Sequence, residues 1–190
     1  APVTRIEHGP QGVRAVTAGG VVEARAALVA LPPATAAKLE FTPALPENVA
    51  KALGVWESGA VLKILVRYAR PFWRERDWSG MVMWRDLPGL FACDTGKDAE
   101  HAALTVFVGG PLALRWHELG AAQLRAQVAA RLVDALGPDA AGIVDFSVRD
   151  WTHDRWSGGA YSDLIVDVTA RDAERTILAG VPPVYFAASE

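Results

Sequence analysis

The sequence predicts a mixed α/β fold of α+β character, built on a twisted, largely antiparallel sheet with one long helix packed on a face. Three observations predict it. The first thirty residues alternate in hydrophobicity between Gly-rich links, apolar strand patterns recur through the middle of the chain, and residues 120–137 alone carry a long helical period.

Taken in order, "VTRIEH", "VRAVT" and "VVEA" are joined by "GPQG" and "AGG". Links this short connect antiparallel neighbours, so the segments read as a β-meander. Ala26 to Leu31, "AALVAL", is continuously apolar and is expected to form a strand buried on both faces. Pro32 and Pro33 halt it, because proline has no N–H to offer a ladder. "PATAAKLEF" and "PENVAKALGV" read as short helical turns, each opened by a proline. Ser58 to Tyr68 reads as one long strand, interrupted by Lys63. "RPFWRERDWSG" is a loop, and strands are expected at 80–85, 89–94 and 102–108. Within 120–137, Leu124, Val128, Leu132 and Leu136 fall on one stripe, Arg125 and Arg131 lie off it, and Gly137-Pro138 ends the helix. "IVDFSVRDW" is a further strand, and Val184 to Ala187 closes the chain as a short one. No internal repeat or low-complexity linker divides it.

The totals exclude several classes of function. Of 190 residues, 51% are hydrophobic and 22% charged, the composition of a globular protein with a real core. The net charge is -3, with acidic and basic residues interspersed, so there is no basic stripe for nucleic acid. No apolar run is long enough to span a bilayer, and the start "APVTRIEHGP" has no leader pattern, so a cytoplasmic location is expected. Without an initiating Met, the chain reads as beginning inside a longer protein. The single Cys93 rules out an internal disulfide and a thiolate cluster. His8, His101, His117 and His153 are scattered without ligand spacing, so no metal site is expected.

Two places could carry chemistry. Lys63 stands among Val, Leu and Ile in "AVLKILV". Either the strand is half exposed and Lys63 points to solvent, or the ammonium is held in a site where burial or a bound water gives it a role. The second place is "RDWTHDRWSGGAYSD", residues 149–163, which sets Trp151, Trp156 and Tyr161 around Gly158-Gly159. Its aromatics either plug the edge of the core or form a face for a flat ring, where glycine lets backbone come close. No G-x-G-x-x-G, Walker loop or G-x-S-x-G elbow is present.

The segments in this order resemble the later part of the flavin-dependent amine oxidases, the family of monoamine, polyamine and L-amino-acid oxidases. "PVTRIEHGPQGVRAVTAGGVVEARAALVALPP", "LEFTPALPENVAKAL", "GAVLKILVRYARPFWR", "DW…W-SGGAY" and "VYFAASE" each look like a family segment, and together they cover nearly the whole chain. The resemblance implies that residues 1–53 belong to an FAD-binding domain, 54–150 to a substrate-binding domain, and 151–190 to the FAD-binding domain again.

It also implies roles. Lys63 would hold the water bonded to flavin N5, and Trp151 would pack beside the isoalloxazine. Gly158 and Gly159 would let backbone approach the ring, and Tyr161 would form one wall of the cage that receives the amine. Val3 would meet the adenine end of FAD, Glu190 would belong to the closing cofactor segment, and Leu90 and Phe107 would line the substrate cavity. Ala160 stands where some members carry a cysteine linked to the flavin, so the implied FAD is non-covalent.

The implied reaction is hydride transfer from the C–H beside an amine nitrogen to FAD, giving an imine, with O2 reoxidising the flavin to yield hydrogen peroxide. The expected partners are thus a small amine and O2, and a homodimer is compatible with the sequence. The family's amino-terminal G-x-G-x-x-G unit is not in this chain, so the piece alone is expected neither to hold FAD tightly nor to turn over. Two other readings stand beside this one. The first is a related FAD oxidoreductase, of the desaturase or protoporphyrinogen-oxidase kind; the second is a non-catalytic binding domain that has lost its cofactor half.

Overall fold

The computed structural model describes residues 1–188. The chain divides into two compact units, one made of Ala1–Gly59 with the residues from Arg155 onward, the other of Ala60–Asp154.

The first unit opens with the meander β1 (Val3–Gly9), β2 (Gly12–Thr17) and β3 (Gly20–Ala24), as the short links require. Then come β4 (Ala27–Val29), α1 (Pro33–Ala36), β5 (Glu40–Thr42), α2 (Glu47–Gly54) and β6 (Trp56–Ser58). β5 adds to β1 in parallel, giving a four-stranded sheet in the order β3-β2-β1-β5. The second unit supplies β7 (Val61–Tyr68), β8 (Val82–Met83), β9 (Leu90–Asp94), β10 (Ala103–Gly109), α3 (Pro111–His117), α4 (Ala121–Leu136) and β11 (Ile143–Asp150). The chain then returns to the first unit with β12 (Asp163–Ile165), α5 (Ala173–Ala179) and β13 (Val184–Phe186).

The first unit's core gathers Ile6, Val13, Val29, Leu53, Ile177, Val184 and Phe186. β13 pairs with β4 in parallel, Tyr185 opposite Leu28. Here the expectation of a strand buried on both faces fails: Val29 is in the core, but Leu28 is 65% exposed. Only one face of this strand meets packed side chains, so a continuous apolar run still alternates in burial.

The second unit is a five-stranded antiparallel sheet in the order β11-β7-β10-β9-β8. Period-two alternation sends Leu62, Ile64, Val66 and Tyr68 of β7 to one face, where they join Leu104, Val106 and Val108. α3 and α4 contribute Leu112 and Trp116, and Leu124, Val128, Leu132 and Leu136, to the same core. The long helix thus forms where its stripe of leucines predicts, and the N–H of Gly137 closes it on the Val133 carbonyl at 2.8 Å.

The "PFWR" segment is locked into this unit. Trp73 and Phe72 are fully buried, with rings edge-on at 5.0 Å, and Trp73 donates its indole N–H to Asp94 at 2.7 Å. Arg74 donates to both oxygens of the same carboxylate, at 2.5 and 2.7 Å. Burial alone would raise the Asp94 pKa, but the bonds from Arg74, Trp73 and the Gly96 N–H outweigh it and hold the carboxyl below its ordinary value.

The segment read as one strand from Ser58 to Tyr68 is two. It breaks at Gly59-Ala60, and the first piece, β6, pairs with β12. The Gly59 N–H donates to the Ser162 carbonyl at 3.1 Å, and its own carbonyl accepts from the Ala160 N–H at 2.6 Å. The ladder therefore changes partner at that residue, although the apolar pattern runs straight through it.

Candidate functional site

In the second unit the core takes one face of the sheet and leaves the other open. Lys63 lies on that open face and is exposed, so of the two readings of its strand the half-exposed one describes the geometry. Its neighbours across the ladders are Phe107 on one side and Arg149 on the other. The Lys63 ammonium sits 5.3 Å from the centre of the Phe107 ring, and Phe107 stacks on Phe91 at 4.6 Å with 8° between planes. A cation followed by two parallel rings therefore runs across three adjacent strands.

Two cations directly opposite each other destabilise a sheet, yet Lys63 faces Arg149. The conflict is relieved because Arg149 is turned elsewhere. Its guanidinium donates to Asp154 at 2.6 Å and lies 4.4 Å from the centre of the Trp151 ring. Lys63 has no carboxylate partner among the described residues and keeps its N–H groups for a ligand or water.

Leu90, expected in a substrate cavity, points the other way. It is 3% exposed and belongs to the core under α4. The residue that meets Phe107 is its neighbour Phe91, because successive strand residues face opposite sides.

Trp151 follows the last residue of β11 and is half-buried; its N–H donates to the Val61 carbonyl at 3.0 Å. Asp150 beside it faces the helical side of the sheet, where it accepts from His117 of α3 and from the Thr152 N–H, the latter at 2.8 Å. The His117 ring also stacks on His153, with centres 4.8 Å apart. The hydrogen bond to Asp150, aided by its charge and opposed by burial, raises the His117 pKa above the usual imidazole value.

In the first unit, "SGGAY" is pinned as a loop. The Ser157 carbonyl accepts from the Thr35 hydroxyl at 3.2 Å, and Asp163 accepts from the Ala34 N–H at 2.9 Å. Gly159 sits at a φ of +157°, and a Cβ there would lie 2.6 Å from both the Gly59 oxygen and the Ser58 Cβ. At Gly158, φ +77°, a Cβ would come 2.9 Å from the Thr35 hydroxyl. The close approach that demands glycine is thus to the chain's own backbone and side chains. Gly159→Ala is expected to cost about 1–3 kcal/mol through overpacking, read as a lower denaturation midpoint, with Ala160→Gly as the tolerated comparison.

The loop presents Tyr161, 71% exposed, with Ala160 partly buried beside it. Val3 begins β1 opposite Thr17 and is exposed. Glu190 lies outside the described residues. No group of three or more His, Cys, Asp or Glu suited to a metal occurs among the described residues, and no helix there is long and apolar enough to cross a membrane.

Sequence reasoning missed Phe91 and the His117–Asp150 pair. Alternation around Phe107 would have found the first, since cross-strand aromatic pairs are favoured. Nothing in the spacing of His117 and Asp150 announces the second.

Comparison with known proteins agrees with this architecture. The family model described as flavin containing amine oxidoreductase matches residues 1–190. An L-amino acid dehydrogenase from Synechocystis is 26% identical over all of this chain and 40% of its own length. The flavin-containing amine oxidase B of Canis lupus familiaris is 27% identical over all of this chain and 37% of its own. Among solved structures, cyclohexylamine oxidase from Brevibacterium oxydans superposes with a TM-score of 0.91 at 31% identity, covering 98% of this chain and 42% of that one. Putrescine oxidase bound to putrescine superposes with a TM-score of 0.89 at 27% identity, again spanning 42% of the solved chain. The chain, about two fifths as long as these relatives, belongs to the family of flavin-containing amine oxidoreductases.

Proposed function

We propose that this chain is part of an enzyme that oxidises a small amine to an imine with non-covalent FAD and O2. One observation carries the reading within the family: Lys63 stands exposed beside the stacked rings of Phe107 and Phe91, with its neighbouring cation Arg149 drawn off to Asp154 and Trp151. These residues fit a substrate chamber beside a flat conjugated cofactor: the stacked rings suit the apolar part of a small amine, and an ammonium with no carboxylate partner among the described residues suits a water or an acceptor atom of the cofactor.

Bound FAD would supply the hydride-accepting chemistry, with reoxidation by O2 releasing hydrogen peroxide. The chain's own residues would orient and desolvate. Lys63 would hold a water at flavin N5, and Trp151 would lie along the ring, its orientation set by the Arg149 guanidinium. Tyr161, projecting from a loop fixed by its own backbone bonds, would form one wall for the amine, and Phe107 with Phe91 would carry the apolar part of the substrate. Gly158, Gly159 and Ala160 would bring the backbone near the ring, and Ala160 has no sulfur to form a thioether. Val3 and Glu190 would meet FAD further from the reacting end. In this reading the two ends of the chain, 1–53 and 151–190, serve the cofactor and 54–150 the substrate.

The test is the flavin-loaded enzyme mixed with cyclohexylamine, putrescine and an L-amino acid. Anaerobic bleaching of the flavin by one of them, and amine-dependent hydrogen peroxide in air, is the expected result. A flavin that stays oxidised with every amine overturns the proposal. Bleaching without peroxide keeps the amine and removes O2 as the acceptor.

A further inference from the structure

The turn that carries Trp151 is held from two sides, and only one of them belongs to the open face. On that face Arg149 bridges Asp154 and the indole. On the opposite face Asp150 takes a hydrogen bond from His117 Nδ1 through one carboxylate oxygen and the Thr152 N–H through the other. Asp150 and Thr152 flank Trp151 directly, and the Asp154 N–H donates back to the Trp151 carbonyl at 3.2 Å. His117 ends α3, a helix packed into the sheet core through Leu112, Ala113 and Trp116. The imidazole therefore ties a rigid helix to the two residues that set the backbone of the tryptophan.

We propose that His117, acting through Asp150, is a positioning residue for the Trp151 indole, and that loss of its proton loosens the turn. The inference rests on the reading in which Trp151 lies against the flavin only for its catalytic consequence; the clasp itself lies in the second unit alone. The titratable groups that face His117 are Asp150 from the end of β11, His153 stacked on its ring, and Glu118 next along the chain.

The direction of the effect follows from the pair. A histidine whose pKa is raised on folding contributes stability that is fully present below the unfolded value of about 6.5. That contribution is lost as the pH rises through the folded value. Burial opposes ionisation of Asp150, but bonds from His117 and Thr152 hold its carboxyl below the ordinary range. The clasp is therefore tightest in mild acid and weakens on the alkaline side, where the imidazole can keep a donor for Asp150 but loses its charge.

The experiment follows the Trp151 indole N–H by NMR in the chain itself, its resonance identified by its absence in Trp151→Phe. It is expected to shift with a midpoint equal to that of the His117 ring and above about 6.5. In His117→Asn, which keeps a donor for Asp150 but cannot titrate, the shift should vanish. In Asp150→Asn the His117 midpoint should fall. A Trp151 signal that stays still while His117 titrates overturns the proposal, as does one that moves unchanged in His117→Asn. The absorption spectrum of the flavin-loaded enzyme is then followed over the same range. If Trp151 tracks His117 but the flavin spectrum does not respond, the positioning role stands and the placement of Trp151 beside the flavin falls.

Discussion

Replacing Trp73 with alanine is expected to remove about 3–5 kcal/mol of stability, the cost of emptying a large aromatic site in a packed core. A domain is stable by only about 5–15 kcal/mol, so this one change consumes much of what holds the second unit together. Trp73 is fully buried, edge-on to Tyr68 at 5.6 Å and to Phe72 at 5.0 Å. Its indole N–H is also one of the bonds that keep Asp94 ionised. Trp73→Phe separates the two contributions. It keeps most of the ring contact but withdraws the donor, and is expected to cost about 1–3 kcal/mol.

The donor has a signature in acid as well. A carboxylate whose folded pKa is depressed contributes stability above its unfolded value of about 3.9. That stability disappears as the pH falls through the folded value. With Trp73→Phe the Asp94 pKa moves back toward the ordinary one, so acid unfolding should begin at a higher pH than in the parent. Met83, 76% exposed at the sheet edge, provides the comparison. Met83→Ala is expected to stay within about 0.5 kcal/mol. Circular dichroism against denaturant and pH checks all three, and an alanine at position 73 that unfolds with the parent midpoint would contradict the account of this core.

The sequence disclosed the elements whose patterns are long or punctuated. The meander was readable because its glycine links leave no alternative connection, and α4 because four apolar residues at helical spacing meet a Gly-Pro stop. α3 and α5, of seven residues each, were not. So few turns carry little periodicity, and their start signals, a proline after two glycines and an aspartate before "AERTILA", sit inside segments that read equally well as loops. The break at Gly59 was hidden for another reason: hydrophobic alternation reports which face is buried, not which strand is the partner.

The site divides along the same line. Lys63 could be singled out as a cation in an apolar strand, since one residue type in the wrong company is visible in one dimension. Leu90, which the resemblance implies for the substrate cavity, and Phe91, which stacks on Phe107, are adjacent in β9, and in a strand a step of one residue exchanges the faces. Nor could the spacing of the glycines in "SGGAY" reveal what they avoid. The atoms that forbid a side chain at Gly159 belong to Ser58 and Gly59, a hundred positions earlier in the chain.

Lys63→Met is expected to lower kcat/KM of the flavin-loaded enzyme by about 10²–10⁴-fold, the range for removal of a group that positions or moves a proton. Methionine keeps an unbranched apolar stem and deletes the charge. Because Lys63 is exposed and, among the described residues, its one close side-chain partner is the Phe107 ring, the unfolding midpoint should move by no more than about 0.5 kcal/mol. The separation of the two readouts gives the test its force: a cation that merely solvates the sheet would leave both unchanged, and one that holds the sheet together would move both. Lys63→Arg should not rescue activity. Its planar fork cannot reproduce a compact ammonium on a flexible stem, and it would stand opposite Arg149, which already occupies Asp154 and Trp151. If the ammonium serves only the bound substrate's reaction, kcat and kcat/KM should fall by the same factor. Activity within twofold of the parent for Lys63→Met would remove the lysine from the chemistry and leave the open sheet face as no more than a wall.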